Sequence, residues 1–473
     1  VEKGLQMLRE KRVPVYPSPE RAVKSYMYMY QYSLNLEQLY QTPEELPNDM
    51  AAPRHHLKAL ISQIARRGRE MLTEDESKRF LETYGIPVAE TSVARSPTAA
   101  ASMATRIGFP VALKIRSPDI TYKSDCGGVI LGLNTPDEVK AAFDQIITSA
   151  KRQCPDARVN AVSVQKMVTG IDYELILGCK RDPTFGPAIA FGQGGTGVEI
   201  YRDIAVGLPP LNRLLARRLM EQTKVYSLLQ GYRNRPPANL GLLEEYLVRF
   251  SQLIIDFPQI TEIDINPLAA VGDGFIALDA RIAVDKDLAL GDVEPHSHLV
   301  IEPYPTRYQE HFVLKDGRHV DLRPIRPEDE LLQKEFFKTF SPETFQLRFF
   351  EPIKKFTHDD LTRFTNIDYR REMAIVAELS EKKKRRIIGI GRLFMDPDGE
   401  SGEIAVVVAD PWQDRGLGTK LVDAIIGVSE DKGLKKVWGF IQSDNERMKH
   451  ICRKMGFNIE MVDSTTVKVT LKL

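Results

Sequence analysis

Residues 402–419 join an apolar strand bearing one carboxylate to a glycine-rich turn that opens a helix. Glu403, Ala405, Val407 and Ala409 alternate with Ile404, Val406 and Val408, the period of a β-strand. A glutamate entering such a strand is costly without a task or a partner. In the turn, Gly416 and Gly418 let backbone N–H groups approach an anion closely, and Arg415 adds fixed charge. The positive end of a helix beginning near Leu417 favours phosphate. The stretch therefore asks for a sheet with a helix packed after it, and suits a pyrophosphate held beside a reacting amine.

The residues C-terminal to this helix raise the value of the turn. A second strand is expected over 436–441, followed by Ser443, Asp444 and Asn445 and then a helix with Met448, Ile451 and Met455 on one face, stopped by Gly456-Phe457. This order resembles the acyl-CoA-binding core of the GNAT acetyltransferase superfamily. The resemblance covers residues 308–473, including the strand with Leu322-Arg323-Pro324-Ile325. It implies that Gln413, Asp414, Arg415, Gly416, Leu417, Gly418 and Thr419 form the pyrophosphate turn for acetyl-CoA. Val406 and Val408 lie on the strand that bonds the pantetheine arm, and Asn445 is the later CoA contact.

Lys plus Arg (65) balance Asp plus Glu (65), so nothing global points to nucleic acid or an anionic membrane. The 473 residues, 42% hydrophobic, suffice for about three packed domains. Cys126, Cys154, Cys179 and Cys452 have neither paired spacing nor a nearby metal-spaced histidine, which argues against a zinc site or a disulfide framework and fits a reducing cytoplasm. No apolar run approaches a membrane span and no signal peptide opens the chain. The first residue is Val1, so the segment is expected to be cut from something longer. The basic run Lys382-Lys383-Lys384-Arg385-Arg386 reads as a solvated hairpin tip.

Proline-rich stretches mark linkers at 41–54 and 293–307, enclosing a block at 55–292. Thr73 to Glu76 and Thr135 to Glu138 have capping-box spacing, so helices start there. Strands are expected over 111–115, 128–133, 162–167, 174–178, 188–191, 261–265 and 275–278. Lys114 closes an apolar strand, where its ammonium needs an anion. The small-residue loop 123–128 is able to lie over phosphates. Asp264, Asn266 and Asp279 place oxygen ligands at adjacent strand ends, suited to Mg²⁺ between protein and phosphate. With Gln165-Lys166-Met167 and the glycine-rich segment 185–195, these features resemble the ATP-grasp domain of NDP-forming acyl-CoA synthetases. The resemblance implies that Lys114 contacts phosphate, Gln165, Lys166 and Met167 the base of ATP or ADP, and Asn266 with Asp279 the metal. Where those enzymes carry a phosphoryl-accepting histidine this chain has Tyr122, a poor phosphoryl carrier at neutral pH. Nucleotide binding is left open by the sequence, while turnover by the module is not expected.

These elements imply an α/β and α+β multidomain architecture, an ATP-grasp domain followed by a GNAT acyltransferase fold. That domain order resembles the Pat-type bacterial protein lysine acetyltransferases, with residues 1–40 as the tail of a succinyl-CoA-ligase-like domain. The resemblance implies acetyl transfer to a lysine of acyl-CoA synthetase-type proteins, with the synthetase-like module as a regulator and a possible homo-oligomer. Glu403 matches the catalytic glutamate. Glu400 competes with it, but sits among Asp396, Pro397, Asp398 and Gly399 and reads as a solvated turn. Cys452 stands where many superfamily members have a tyrosine that protonates sulfur, and reads as a small apolar helix residue. Determinants of target recognition are expected on 341–356. Three other readings share these residues: a small-amine acetyltransferase with a sensor module, a subunit of a nucleotide-dependent acyl-CoA synthetase, and a binding or scaffolding protein with no catalysis.

Overall fold

The computed structural model describes residues 2–11, 13–39, 54–120, 123, 126–159, 161–195, 197–291, 293, 296–350, 356–381 and 384–473. Tyr122, most of the 41–54 linker and Lys382-Lys383 lie outside the described residues. The chain divides into one unit spanning Asn48–Glu302 and another comprising Val1–Pro47 and Pro303–Leu473.

In the Asn48–Glu302 unit, β1 (Thr91–Ala94), β2 (Val111–Arg116), β3 (Val129–Leu133) and β4 (Ala161–Lys166) form an antiparallel sheet in the order β1-β4-β2-β3. Val111, Leu113 and Ile115 of β2 pack with Ala100, Ala104, Val139 and Ile146, so the alternate residues Ala112 and Lys114 take the other face. Lys114 pairs with Ser163 and Ala112 with Gln165, which places these polar side chains together. A second sheet contains β5 (Tyr173–Asp182), β6 (Gly186–Gln193), β7 (Ile204–Gly207), β8 (Ile260–Val271), β9 (Gly274–Ala277) and β10 (Ala280–Val284). Its order is β10-β8-β5-β6-β7, with β9 on β8.

Both expected helix starts are present, but only one completes its box. At α1 (Glu74–Thr83), Glu76 accepts the Thr73 backbone N–H at 2.7 Å and the box closes. At α2 (Pro136–Gln153), Thr135 accepts the Glu138 N–H, whereas the Glu138 carboxylate takes the N–H of Asn134, one residue early. The helix α3 (Leu240–Asp256) then buries Leu243, Leu247, Phe250 and Ile254 against the second sheet's apolar residues.

The C-terminal unit is built on one sheet of β11 (Glu310–Val313), β12 (His319–Pro324), β13 (Glu372–Glu381), β14 (Lys384–Met395), β15 (Ser401–Val408), β16 (Lys436–Gln442), β17 (Asn458–Met461) and β18 (Thr466–Lys472). The order is β11-β12-β13-β14-β15-β16-β18-β17, antiparallel throughout except for β15 beside β16. The helices α4 (Glu330–Phe337), α5 (Pro342–Phe349) and α6 (His358–Thr365) precede β13. Between β15 and β16 runs α7 (Leu417–Asp431), and α8 (Glu446–Lys454) follows β16. Leu417, Leu421, Val422, Ile425 and Val428 form the buried stripe of α7. It packs on Gly389 and Gly391 of β14, where an added Cβ would come within 2.9 Å of Leu421 and Ile425.

Arg323 ties β12 into this unit. Its guanidinium meets Asp329 in two bonds of 2.7 Å and donates to Glu378 at 2.6 and 3.0 Å. Asp329 is fully buried, and Glu378 nearly so. Burial opposes the charge on Glu378, but hydrogen bonds from Arg385 and Arg323 hold its carboxyl down at about 2. Replacing Arg323 with methionine strips the buried Asp329 of its guanidinium and leaves Glu378 with Arg385 alone, and urea unfolding of the C-terminal unit is expected to show a loss of roughly 3–5 kcal/mol. Because the Glu378 pKa is depressed on folding, its contribution is present above the ordinary carboxylate range and is lost as pH falls toward 2. Equal urea midpoints for Arg323→Met and wild type at pH 7 contradict this account.

Candidate functional site

β15 pairs with β14 over its whole length, from Gly402 opposite Met395 to Val408 opposite Gly389. With β16 it pairs only at Ser401, Gly402 and Glu403, opposite Lys436, Val437 and Trp438. Past Glu403 the two parallel strands part. At the apex Gly439 approaches so closely that a Cβ would lie 2.8 Å from the Ile404 carbonyl oxygen. The Ala409 N–H bonds Ile388 of β14, and strand alternation then turns the N–H and C=O of Val406 and Val408 toward the opening. The Val408 carbonyl is capped by the Gln413 side chain at 3.1 Å. Val406 is left as the residue whose polar backbone faces the gap.

The glycine turn lies past the open end of that gap. Asp414 and Gly416 both adopt positive φ, +59° and +87°, and Gly416 precedes the first residue of α7. No side chain caps the helix, and its first backbone bond runs from the Lys420 N–H to the Gly416 oxygen. The amides of Leu417, Gly418 and Thr419 are thus left without intrahelical partners, the arrangement that favours an anion at a helix N-terminus. Two expected contributors have other partners. Gln413 donates to Asp410 and Thr344 as well as to Val408 and accepts from Arg447, so its side chain braces the turn. Arg415 is ion-paired with Asp316 and lies over the Trp412 ring, so its charge is partly neutralised. Asn445 caps α8 by accepting the Met448 N–H at 3.0 Å, leaving only its amide nitrogen for a ligand.

Glu403 is half-buried on β15, and among the described residues its carboxyl has neither a hydrogen bond nor an ion pair. Burial raises its pKa above the usual carboxylate range, Arg348 pulls it back down, and Asp396 pushes it up. Asp396 itself holds the Ser401 hydroxyl and the Trp438 indole N–H. Glu400, the competing carboxylate, is exposed and paired with Lys435. Cys452 is fully buried and burial pushes its thiol up to about 11, so it neither reaches the gap nor offers a thiolate. The sequence reading missed Asp410, which accepts from the Ser341 N–H and the Thr344 hydroxyl and ties α5 to the glycine turn. Its neighbour Pro411 was the sole local hint.

In the other unit, the anion that Lys114 needs is Glu74. Lys114 reaches Glu74 at 3.1 Å and the Leu278 carbonyl at 2.9 Å. Lys78 joins Glu74 to Gln165 and Thr91, and Lys123 joins Glu74 to Asp279. Burial opposes the Glu74 charge, but the three ammonium groups hold it well below the ordinary range. Lys78, Lys114 and Lys123 against Glu74 and Asp279 leave one positive charge in excess, which fits a polyphosphate. The backbone N–H groups of Lys166 and Met167 already bond Glu90 and Pro110, so neither donates to a base in this arrangement. Asn266 accepts the Gly195 N–H, tying the glycine-rich segment to β8. Among the described residues no three His, Cys, Asp or Glu side chains gather as a metal site. A cation held by Asn266 and Asp279 therefore needs phosphate oxygens to complete its shell.

Residues 63–284 match the ATP-grasp domain family and residues 331–457 match the acetyltransferase (GNAT) family. The chain is 39% identical over 222 residues to the β subunit of ADP-forming acetate–CoA ligase I of Pyrococcus furiosus, covering 47% of this chain and 95% of that subunit. It is 35% identical over 288 residues to the ADP-forming acetate–CoA ligase I of Archaeoglobus fulgidus, covering 61% of this chain but only 41% of that ligase. An acetyltransferase of Pseudomonas aeruginosa is 34% identical over 144 residues, 30% of this chain and 77% of that protein.

The lysine cluster yields a test. Glu74→Gln takes the carboxylate from the buried Lys78 and Lys114 and leaves Lys123 with Asp279 alone, and urea unfolding of the Asn48–Glu302 unit is expected to show a loss of roughly 3–5 kcal/mol. ADP with Mg²⁺ is expected to restore part of that loss; a variant as stable as wild type contradicts the assignment of Glu74 as the internal anion.

Proposed function

Since the chain belongs to the ATP-grasp family through its central domain and to the GNAT acetyltransferase family through its C-terminal one, we propose that it moves an acetyl group from acetyl-CoA to a lysine of acyl-CoA synthetase-type proteins. One observation carries this reading: an unpaired, half-buried carboxylate stands where two parallel strands part. A lysine ammonium of pKa ~10.4 is free amine only about once in a few thousand molecules at neutral pH, a handicap of roughly 4–5 kcal/mol. Glu403 takes that proton, directly or through water. The amine nitrogen then attacks the thioester carbon, and the Val406 N–H donates to the oxygen as it becomes negative. As the tetrahedral state collapses the C–S bond breaks and CoA leaves as a thiolate, whose pKa of about 8.5 needs no dedicated acid and which takes up, directly or through water, the second proton shed by the attacking nitrogen. Gly416 and the amides of Leu417, Gly418 and Thr419 hold the diphosphate, and the Asn445 amide nitrogen supplies a further contact.

The central domain supports a regulatory role. Its lysine cluster fits the phosphates of ATP or ADP, with Asn266 and Asp279 sharing Mg²⁺ with phosphate oxygens. Tyr122 in place of a phosphoryl-accepting histidine removes the carrier a synthetase cycle needs, so the domain binds nucleotide without turning it over. The choice of target follows from kinship, since the chain carries the same domain as the synthetases it modifies. No helix among the described residues is long and apolar enough to cross a membrane.

Glu403→Gln is expected to lower kcat at least 100-fold while acetyl-CoA affinity, measured by calorimetry, stays within about threefold. Full transfer by that variant removes Glu403 as the base. Mass spectrometry of a proteome co-expressed with each form then locates lysines acetylated only by the wild type.

The pH profile gives a second test. Transfer needs the ionised carboxylate, so kcat is expected to fall as pH drops through the raised Glu403 pKa. Arg348→Gln removes the cation that stabilises this ionised form, so the acidic limb is expected to move to higher pH. A limb that stays in place or moves down excludes the Arg348 effect.

A further inference from the structure

Paired residues of neighbouring strands point to the same side of a sheet, so Trp438, opposite Glu403, shares the face of that carboxylate. Phe440 and Gln442 follow it at alternate positions of β16. On their other side Trp438 and Phe440 pair with Thr470 and Lys468 of β18. The two rings meet edge to face with centroids 5.4 Å apart. The Trp438 indole N–H donates to Asp396 at 2.8 Å, which fixes that ring, while Phe440 is 43% exposed. At the far end of the strip the Gln442 amide donates to the Gln346 carbonyl of α5 at 3.2 Å.

A cation already sits on these rings. The Lys468 ammonium lies 5.0 Å from the Trp438 centroid and 5.9 Å from that of Phe440, within the range of cation–π attraction. Lys468 is half-buried, its alkyl stem covering apolar surface that the strand otherwise leaves in water. Among the described residues its ammonium has neither a hydrogen bond nor an ion pair. Glu460 of β17 stands directly opposite Lys468, yet its carboxylate accepts the Asn458 amide at 2.7 Å instead. Beyond Glu403 the face turns basic, with Arg392 of β14 opposite Ala405 and Arg348 acting on Glu403. A cation is therefore held best at the rings, short of the base.

We infer that Trp438 and Phe440 form the platform along which the lysine of a target protein enters, its stem on the rings and its nitrogen directed to Glu403, and that Lys468 occupies this platform while no target is bound. What the rings hold in the free protein is an alkyl chain ending in an ammonium, the chemistry of the acceptor itself. The incoming lysine displaces a group of its own kind, and Glu460 on the next strand offers the released Lys468 an alternative partner. The rings lie on an open sheet face and not in a closed pocket, which suits a side chain presented by a polypeptide over a free small amine. The inference rests on Glu403 as the base of acetyl transfer.

The test uses the full chain with acetyl-CoA and a lysine peptide. Phe440→Leu keeps apolar bulk but loses the ring face, and Phe440→Tyr keeps the ring. The first is expected to raise KM for the peptide roughly three- to tenfold with KM for acetyl-CoA in place, and the second to stay near wild type. Lys468→Gln clears the platform and is expected to lower the peptide KM roughly two- to fivefold. A peptide KM that is the same in wild type, Phe440→Leu and Lys468→Gln overturns the platform, as does a rise shared equally by Phe440→Leu and Phe440→Tyr. Cadaverine is run beside the peptide; if its KM alone follows the variants, the assignment to a protein lysine falls.

Calorimetry with CoA-loaded protein reads the platform without turnover, comparing the lysine peptide with one carrying norleucine in its place. Tighter binding of the lysine peptide that weakens in Phe440→Leu is expected. That result without transfer to any acceptor sinks the acetyl-transfer reading and keeps the platform. Transfer with equal binding of the two peptides sinks the platform and keeps the acetyl-transfer reading, while neither binding nor transfer sinks both.

Discussion

The C-terminal unit depends on where β15 and β16 stop pairing. Three residue pairs hold the parallel strands together, and Gly439 lets them come close at the apex. Beyond it the backbone of Val406 faces a gap, which a sheet does not normally leave, because an unpaired backbone group buried away from water is costly. The gap makes sense when a ligand with its own amides completes the ladder. Its position also ranks the surrounding residues: Glu403 is the last paired residue, at the closed end, and the glycine turn stands past the open end. Gly389 and Gly391 let α7 sit low on the sheet, so the helix amides approach from the strand side.

Much of this was legible because it is local. Alternation gave β15 and its carboxylate, and the stripe from Leu417 to Val428 gave α7. Gly416 and Gly456 at positive φ marked a helix start and a helix stop. What could not be read were the partners that the fold brings from far away. Gln413 looks like an anion ligand until Thr344, 69 residues earlier, turns its side chain inward. Arg415 looks like free charge until Asp316, 99 residues away, pairs with it. Lys114 demanded an anion, correctly, but nothing in its neighbourhood named Glu74, 40 residues upstream. The Thr135 box failed by a single residue because spacing allows Glu138 two nearby amides and geometry chose Asn134.

The two units treat buried charge in opposite ways. Around Glu74 every ammonium has an internal partner, and the cluster holds β2, β4 and α1 together whether or not a phosphate is present. Such an arrangement gives a nucleotide something to compete with. On the proposed regulatory role, a phosphate entering here would have to offset rearranged ion pairs. Around Glu403 the described charges are left without direct pairs. Shifted groups of that kind cluster at working sites because the same desolvation that destabilises them makes them reactive.

Arg348 links the two requirements of a base for an amine. Burial alone raises the Glu403 pKa, which makes the carboxylate more basic but reduces the fraction ionised and ready. A guanidinium nearby lowers the pKa again, restoring the ionised form before the acceptor binds. The same positive charge, joined by Arg392, repels an incoming ammonium and so favours the neutral amine over the protonated one at the mouth of the site. On the proposed role of Glu403 as base, a guanidinium pair nearby would act twice on the proton inventory, once by keeping the base empty and once by easing the proton off the nucleophile.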